Sequence, residues 1–239
     1  MTARRACRVQ SDQLNAWRGA ERARLLALRE SQPAPLRAAW NERVTALLEQ
    51  GFPVLRTLTT GLCWPYKCEF DARFAMRTLR AAGARSALPA VVARGQPLEF
   101  REWWPGVAMT PRVFNLPVPD GTEVLQPDAL LIPPVGFDER GYRLGYGGGF
   151  FDRTLAARAP QPLKIAVGFE VSRMPTIHPQ PWDVPMDFVV TEAGIHAVEA
   201  DRLRRVDVAE CVRLSDALFA ARQAGRPMTG RHDDSTEAG

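Results

Sequence analysis

The segment from 141 to 155 combines glycines with charged side chains in a pattern that suits phosphate binding. Three consecutive glycines end at Gly149, and Arg143 and Arg153 lie on either side of them. Glycine lets a ligand approach the main chain closely, free N–H groups at a helix start attract anions, and the planar guanidinium group matches phosphate oxygens. Asp152 adds a carboxylate of the kind that holds the magnesium ion of a polyphosphate. The segment therefore predicts an anion-binding loop with a metal ligand beside it.

The loop differs from the two best-known phosphate loops. No Gly-Lys-Ser or Gly-Lys-Thr follows the glycines, so it is not a Walker loop. Counted from Gly145 and Gly147, the dinucleotide-binding pattern requires a third glycine where this chain has Phe150. A tight turn between a strand and a helix would explain the glycines alone. The two arginines and the acid favour a binding site over such a turn.

The elements that position this loop alternate between helix and strand. The pattern predicts helices over 12–30, 35–50, 71–82 and 150–158, strands over 54–59, 86–92, 98–104, 129–132, 164–169 and 188–191, and a proline-rich loop over 105–127. Such alternation predicts one α/β domain with a mostly parallel sheet flanked by helices. Ligands of such sheets lie at the carboxyl ends of strands, and the glycine loop follows the apolar strand 129–132.

The chain divides by composition into a core domain with extensions. We expect a flexible N-terminus over 1–11, an α/β domain over 12–200, a helical extension over 201–222 and a disordered tail over 223–239. The arginines at 22, 24 and 29 are interpreted as a solvent-exposed helix face.

The overall composition excludes several classes of function. Hydrophobic residues make up 46% and charged residues 24%, as in an ordinary soluble domain. The net charge of +4 is spread along the chain, which disfavours nucleic-acid binding and allows a small anionic substrate. No apolar run suits a membrane span or a secretory signal, so we expect a cytoplasmic protein. A monomer or weak homo-oligomer is a separate expectation, for which the sequence gives no direct evidence. The four cysteines form no C-x-x-C pair, which disfavours structural zinc.

Three segments carry a resemblance to a known family. The longest runs over 128–155, the second over 182–192, and a third, weaker segment over 64–71. Together they resemble the 5-formyltetrahydrofolate cyclo-ligase family, also called methenyltetrahydrofolate synthetase, across roughly residues 14–195. The resemblance implies a NagB/RpiA/CoA-transferase-like fold. It also implies an ATP- and Mg²⁺-dependent cyclisation of 5-formyltetrahydrofolate to 5,10-methenyltetrahydrofolate, with release of ADP and phosphate.

The resemblance also implies roles for individual residues. It places the nucleotide at Arg18, Arg143, Leu144, Gly145, Tyr146, Gly147, Gly148, Gly149, Phe150, Phe151 and Arg153. It places the folate at Tyr66, Glu69, Asp71 and Phe114, the Mg²⁺ ion at Asp152 and Asp187, and the catalytic function at Arg143 and Asp152.

Each of these acids and rings also has a structural alternative. Asp152 could pair only with Arg153 at the surface. Glu69 and Asp71 could be ordinary acids at the start of a helix, where the dipole favours them. Asp187 could cap a turn after a proline, and the ring at 114 could pack in the core.

Two positions depart from the family pattern. Leu14 stands where the family usually has a lysine that reaches ATP, and Arg22 or Arg24 could substitute for it from the next helical turn, although arginine and lysine are not interchangeable. Phe150-Phe151 stands where a tyrosine usually precedes the acid. These departures leave open a second hypothesis, that the protein binds folate or nucleotide with little turnover as a buffer or regulator. A third hypothesis is an enzyme of related fold that acts on a sugar phosphate or a CoA ester. The glycine loop alone allows such an enzyme. The segment at 66–71 and Asp187 argue against it, because they match the cyclo-ligase family together with the loop.

Overall fold

A computed structural model describes residues 2–111 and 116–225, with side chains from residue 12 onward. The helices in these ranges are α1 (Thr2–Glu30), α2 (Ala34–Gly51), α3 (Arg73–Ala81), α4 (Phe150–Ala156) and α5 (Val208–Ala224). The strands are β1 (Thr59–Gly61), β2 (Arg85–Ala90), β3 (Glu99–Glu102), β4 (Met109–Pro111), β5 (Pro117–Pro119), β6 (Val124–Leu125), β7 (Ala129–Ile132), β8 (Gly136–Asp138), β9 (Arg143–Leu144), β10 (Leu163–Val167), β11 (Arg173–Met174), β12 (Phe188–Thr191), β13 (Gly194–Glu199) and β14 (Arg202–Val206).

Nine strands form the main sheet, in the order β14-β13-β12-β10-β7-β1-β2-β3-β6. The five central strands, β12, β10, β7, β1 and β2, are parallel to one another, whereas the strands at both edges pair antiparallel. Within 2–111 and 116–225, a three-stranded sheet, β11-β8-β9, and an antiparallel pair, β4-β5, make up the rest of the β-structure. The expected α/β architecture with a largely parallel sheet is therefore confirmed for the centre of the molecule.

Alternate residues of the central strands build two cores, one on each face of the main sheet. Along β7, Leu131 packs with α2 and α3 on one face, and Leu130 packs with the residues around α4 on the other. This double burial explains why the strand is an unbroken apolar run, since a parallel strand covered on both faces has no polar side. A third cluster packs Leu25 of α1 against β9 and β11, which fixes α1 over the three-stranded sheet.

Several predicted boundaries differ from the structure. Residues 54–59 were expected to form a strand, but a 3-10 helix spans Pro53–Thr57 and the strand begins only at Thr59. Proline at the start of that segment fixes φ and suits a helical turn. The predicted division at residue 12 falls inside α1, which begins at Thr2.

The C-terminal part of the chain belongs to the sheet more than was expected. The segment 201–222 was predicted to be a helical extension, but its first part is β14, which pairs antiparallel with β13 at the sheet edge. The helix that follows, α5, buries Cys211 and Ser215 and packs on α2. The predicted helix is thus part of the main core.

None of the helices within 2–111 and 116–225 has the length and apolar character that crossing a bilayer requires.

Candidate functional site

The glycine loop lies between β9 and α4, above the α4 face of the main sheet. The strand directly before it is β9 of the three-stranded sheet, whereas the sequence suggested β7. Gly147 and Gly149 have φ angles of +94° and +63°, in the left-handed region that other residues rarely adopt. Helix α4 has only seven residues, so its dipole adds little to anion binding. The loop backbone and the side chains around it must supply the site.

Arg143 and Asp152 form an ion pair at the base of the loop, in which Arg143 is buried and Asp152 is partly exposed. An Arg143 Nη atom donates to Asp152 Oδ1 at 3.0 Å, and the other Nη donates to the Val184 carbonyl at 2.9 Å. The Val184 amide in turn donates to Asp152 Oδ1 at 3.2 Å. Burial, the largest effect, lowers the pKa of the Arg143 guanidinium, and Asp152 partly opposes it. The pair therefore ties the start of α4 to the segment before β12.

A second network connects the loop to the segment after β1. The Tyr146 hydroxyl donates to Glu69 Oε1 at 2.7 Å, although the two residues are 77 positions apart. Arg29 of α1 donates to the same hydroxyl at 3.0 Å, and the amide of Tyr66 donates to Glu69 Oε2 at 3.0 Å. The ring centroids of Tyr66 and Tyr146 are 5.7 Å apart. Residues predicted for the nucleotide and for the folate thus meet at Glu69.

Burial makes the Glu69 carboxyl unusual. Removal from water raises its pKa from the ordinary 4.5 to about 7, and the bonds from Tyr146, the charge of Arg29 and the Tyr66 amide only partly oppose this. Arg29 lies 3.8 Å from Glu69 Oε1, too far for a short charge-assisted bond. A carboxyl with a pKa near 7 exchanges a proton readily at neutral pH, which is a property of many functional sites.

Asp71 and its neighbours border a cavity on the side of α3. The Asp71 carboxylate makes a two-pronged ion pair with Arg73, and the Arg73 guanidinium stacks 4.2 Å from the ring centre of Trp64. The cavity has a volume of about 460 Å³, and its walls include Trp64, Asp71, Arg73, Phe74, Arg77 and Trp103. This volume is in the range of small-molecule sites. The structure places Asp71 at this cavity and brings Glu69, two residues earlier, to the glycine loop.

The Asp187 carboxylate is bonded to cationic side chains, which occupy the oxygens that a metal ion would need. Arg222 of α5 donates to both carboxylate oxygens at 2.8 Å, and the amide of Lys164 donates to Oδ2 at 2.8 Å. The Lys164 ammonium lies 3.4 Å from Oδ1. Burial, the largest effect, lowers the pKa of Lys164. A metal ion at Asp187 would have to displace a bidentate guanidinium, so the predicted metal role does not fit this arrangement.

The Asp152 carboxylate suits a metal ion better than the Asp187 carboxylate does. Its Oδ1 atom accepts two bonds, and its Oδ2 atom has no partner among the residues that the structure describes. No group of three acids, histidines or cysteines that could hold a metal occurs within those residues. Magnesium commonly uses one or two carboxylates and takes its other ligands from water and phosphate. Asp152 can supply one such carboxylate oxygen.

The arginines of α1 are arranged differently from the prediction. Arg18 donates to Asp183 at 2.6 Å and to the carbonyls of Ile177 and His178, so it is not brought to the glycine loop. Arg22 reaches the loop instead, where its Nε donates to the Gly145 carbonyl at 2.6 Å. Arg24 is exposed and pairs with Glu21 of its own helix. The interpretation of a solvent-exposed face was therefore correct for Arg24 and wrong for Arg22 and Arg29.

The spacing of these arginines in the sequence could have shown which of them face inward. Arg18, Arg22, Leu25 and Arg29 are separated by four, three and four positions, which places them on one side of a helix. Leu25 is 2% exposed, so that side faces inward.

Other predicted loop residues contribute backbone, packing or single bonds. Leu144 is buried and accepts a hydrogen bond from Val135. Phe151 packs against the core of the α4 face, and the guanidinium of Arg153 stacks on Phe150 and donates to the Gly148 carbonyl. The predicted folate contact at Phe114 lies outside the described residues.

Comparison with known proteins identifies a family. A family model described as the 5-formyltetrahydrofolate cyclo-ligase family matches residues 14–192. A 5-formyltetrahydrofolate cyclo-ligase of Escherichia coli K12 is 32% identical over 154 residues, which cover 60% of this chain and 82% of that protein.

Two solved structures share the fold. A 5,10-methenyltetrahydrofolate synthetase from Mycoplasma pneumoniae matches with a TM-score of 0.62 and 23% identity, over 73% of this chain and 98% of its own. A 5,10-methenyltetrahydrofolate synthetase from Aquifex aeolicus matches with a TM-score of 0.67 and 23% identity, over 80% of this chain and 96% of its own.

Proposed function

Because the chain belongs to the 5-formyltetrahydrofolate cyclo-ligase family, we propose that it converts 5-formyltetrahydrofolate to 5,10-methenyltetrahydrofolate with the consumption of ATP. One observation supports this most strongly. The Tyr146 hydroxyl of the glycine loop bonds Glu69 at 2.7 Å, which brings the proposed nucleotide site and the proposed folate site into direct contact. A reaction that transfers a phosphoryl group from one substrate to the other needs such proximity.

The glycine loop binds the phosphates of ATP in this proposal. Its backbone from Leu144 to Phe151 surrounds the phosphate chain, and Arg153 contributes positive charge at one side. Arg143 is committed to Asp152 and to the Val184 carbonyl, so its role is to hold the carboxylate and the loop in place. Asp152 would hold Mg²⁺ through Oδ2, and the ion would neutralise charge on the transferred phosphoryl group.

The chemistry then proceeds in two steps. The formyl oxygen of the substrate attacks the γ-phosphorus, the bond to the β-phosphate oxygen breaks, and ADP leaves with the bonding electrons. N10 of the folate next attacks the activated formyl carbon, the carbon–oxygen bond breaks, and phosphate departs with the former formyl oxygen. The N10 proton is lost in ring closure, and Glu69 is suited to receive it because its pKa lies near 7.

The folate is proposed to lie between the loop and the α3 cavity. Tyr66 exposes its ring beside Tyr146, and Asp71 borders the cavity two residues beyond Glu69. These groups offer an aromatic surface and hydrogen-bond acceptors for a pterin. Phe114 stays a prediction for this site, as do the cytoplasmic location and the monomeric or weakly oligomeric state.

The absorbance of methenyltetrahydrofolate in the near ultraviolet tests the proposal. Product should appear with 5-formyltetrahydrofolate, ATP and Mg²⁺ together, and should not appear when ATP or Mg²⁺ is omitted. Asp152→Asn should reduce turnover and weaken its dependence on Mg²⁺, because the amide is a poorer metal ligand. Asp201→Asn is a matched control, since Asp201 pairs only with Arg140 at the surface.

Two results would contradict the proposal. Absence of product at high enzyme concentration, with folate binding still measurable by calorimetry, would favour a binding protein with little turnover. Equal activity of Asp152→Asn and Asp201→Asn would remove Asp152 from the metal site.

A further inference from the structure

Helix α5 is bonded to the residue that precedes β12, although α5 lies beyond the part of the chain that matches the family. The family model ends at residue 192, whereas α5 spans Val208–Ala224. Near the end of α5, each terminal nitrogen of Arg222 donates to one carboxylate oxygen of Asp187, both at 2.8 Å. The two side chains are 18% and 10% exposed, so the pair lies largely out of water. A two-pronged pair of this kind fixes the orientation of both groups.

Asp187 is also joined to the two strands that flank β12 in the main sheet. Its amide donates to the Lys164 carbonyl of β10 at 2.8 Å, and its Oδ2 atom accepts from the Lys164 amide at 2.8 Å. Its carbonyl accepts from the Val198 amide of β13 at 2.9 Å. Arg222 donates in addition to the Pro162 carbonyl, just before β10, at 2.6 Å. Arg222 therefore holds Asp187 in a fixed place at this end of the sheet.

The chain just before Asp187 contacts the proposed metal ligand. The Val184 amide donates to Asp152 Oδ1 at 3.2 Å, and the Val184 carbonyl accepts from Arg143 at 2.9 Å. Only two residues separate Val184 from Asp187. A displacement of Asp187 would therefore move the backbone groups that hold Asp152 and Arg143.

We propose that Arg222 is a positioning residue, which fixes segment 184–187 through Asp187 and thereby sets the placement of the Asp152 carboxylate. The inference rests on the proposed function only in taking the ligand at Asp152 to be Mg²⁺ with a nucleotide. Without Arg222, the Asp187 carboxylate keeps the Lys164 ammonium at 3.4 Å but loses the two bonds that orient it. Helix α5 thus supports the site from outside the family-matched residues.

Amide hydrogen exchange tests the anchoring without any ligand. The exchange rate of the Val184 amide would be measured by NMR for the native protein, Arg222→Ala, Arg222→Lys and two control variants. Loss of the anchor should make this amide exchange about 2- to 30-fold faster in Arg222→Ala. Arg222→Lys should give an intermediate rate, because it keeps the charge and loses the two-pronged geometry.

Both control variants change α5 without removing a bond to Asp187. Arg213→Ala truncates an exposed arginine of the same helix, and the Val184 amide should exchange in it as in the native protein. Leu218→Ala weakens the packing of α5 on the main core. Any faster exchange in that variant should be shared by the amides of β7, which report opening of the whole core. In Arg222→Ala the change at Val184 should exceed the change in β7.

Nucleotide affinity in the absence of folate tests the consequence for the site. Dissociation constants for ATP with and without Mg²⁺ would be measured by calorimetry for the same variants. Arg222→Ala should weaken binding of Mg·ATP by about 2- to 30-fold. Binding of metal-free ATP should change less, because Asp152 acts through the metal. Asp187→Asn should have a similar effect, and the double variant should be little worse than either single one, since both changes remove the same pair.

Two results would overturn the proposal. The first is exchange at Val184 that rises no more in Arg222→Ala than in Leu218→Ala, which would mean that Arg222 only stabilises the helix. The second is an unchanged affinity for Mg·ATP in Arg222→Ala. If the native protein binds no Mg·ATP, the role at the metal site fails together with the nucleotide site. If it binds Mg·ATP and depends on Arg222 but forms no methenyltetrahydrofolate, the proposed function fails and this inference stands.

Discussion

The Glu69→Gln substitution should change how the stability of the protein depends on pH. Burial raises the pKa of Glu69 to about 7 in the folded protein, compared with an ordinary value of 4.5 in the unfolded chain. Between these values the unfolded chain releases a proton that the folded protein keeps. The free energy of unfolding therefore falls as pH rises across this window, and the Glu69 contribution is constant above it. Glutamine resembles the protonated acid and does not titrate, so the variant lacks this decrease.

The size of the effect follows from the difference between the two pKa values. One pKa unit corresponds to 1.36 kcal/mol, so the shift amounts to about 3 kcal/mol. The unfolding free energy of the native protein minus that of Glu69→Gln should decrease by roughly that amount between pH 4.5 and 7. Denaturant unfolding at several pH values measures it, and the difference between the two proteins removes the contribution of the other titrating groups.

A control carboxylate should give the opposite sign. The hydrogen bond from Arg85, its largest influence, lowers the pKa of Glu102. The stability that this pair contributes is present above the ordinary pKa and is lost as pH falls through the folded value. The unfolding free energy of the native protein minus that of Glu102→Gln should therefore decrease toward acid pH. If the difference in unfolding free energy between the native protein and Glu69→Gln does not vary between pH 4.5 and 7, the argument that burial raises the pKa of this carboxyl is refuted.

Two further substitutions test other parts of the structure. Arg222→Ala removes two hydrogen bonds to Asp187, and denaturant unfolding should show a loss of about 1.5–3 kcal/mol. If this variant instead needs less Mg²⁺ for activity, Asp187 is a metal ligand after all. Gly147→Ala places a side chain at a φ of +94° against Arg22 and should lower the unfolding free energy by about 1–2 kcal/mol. Gly145→Ala, where an added Cβ meets no atom within 4 Å, should cost less, and equal losses would contradict the role assigned to the Gly147 conformation.

The sequence predicted what short-range patterns determine. The apolar run Ala129–Ile132 and the segment Phe188–Thr191 are strands with the predicted ends, because each is a continuous buried run between clear breaks. The glycine-rich turn before the helix that contains Asp152 was also predicted, because consecutive glycines before a helical segment indicate a loop. Its role as a phosphate and metal site stays a prediction. Fold and family follow from these segments and from their agreement with relatives.

The sequence could not show which charges meet in space. Asp187 was assigned to a metal, but its partner Arg222 comes from α5, and nothing in the local pattern indicates that this helix returns to the start of β12. The contact between Glu69 and Tyr146 likewise joins residues 77 positions apart, which only the whole fold brings together. The sequence left Arg22 between a solvent-exposed helix face and a substitute for the absent lysine, because the helical spacing of the α1 arginines was not combined with the burial of Leu25.

The fate of the formyl oxygen tests the central claim most directly. The native protein would be incubated with ATP, Mg²⁺ and 5-formyltetrahydrofolate that carries ¹⁸O in the formyl group, and the phosphate would be analysed by mass spectrometry. Attack of the formyl oxygen on the γ-phosphorus predicts one labelled phosphate for each methenyltetrahydrofolate and each ADP. Unlabelled phosphate, or ADP formed without methenyltetrahydrofolate, would contradict a site in which the glycine loop activates the formyl group of a folate beside Glu69.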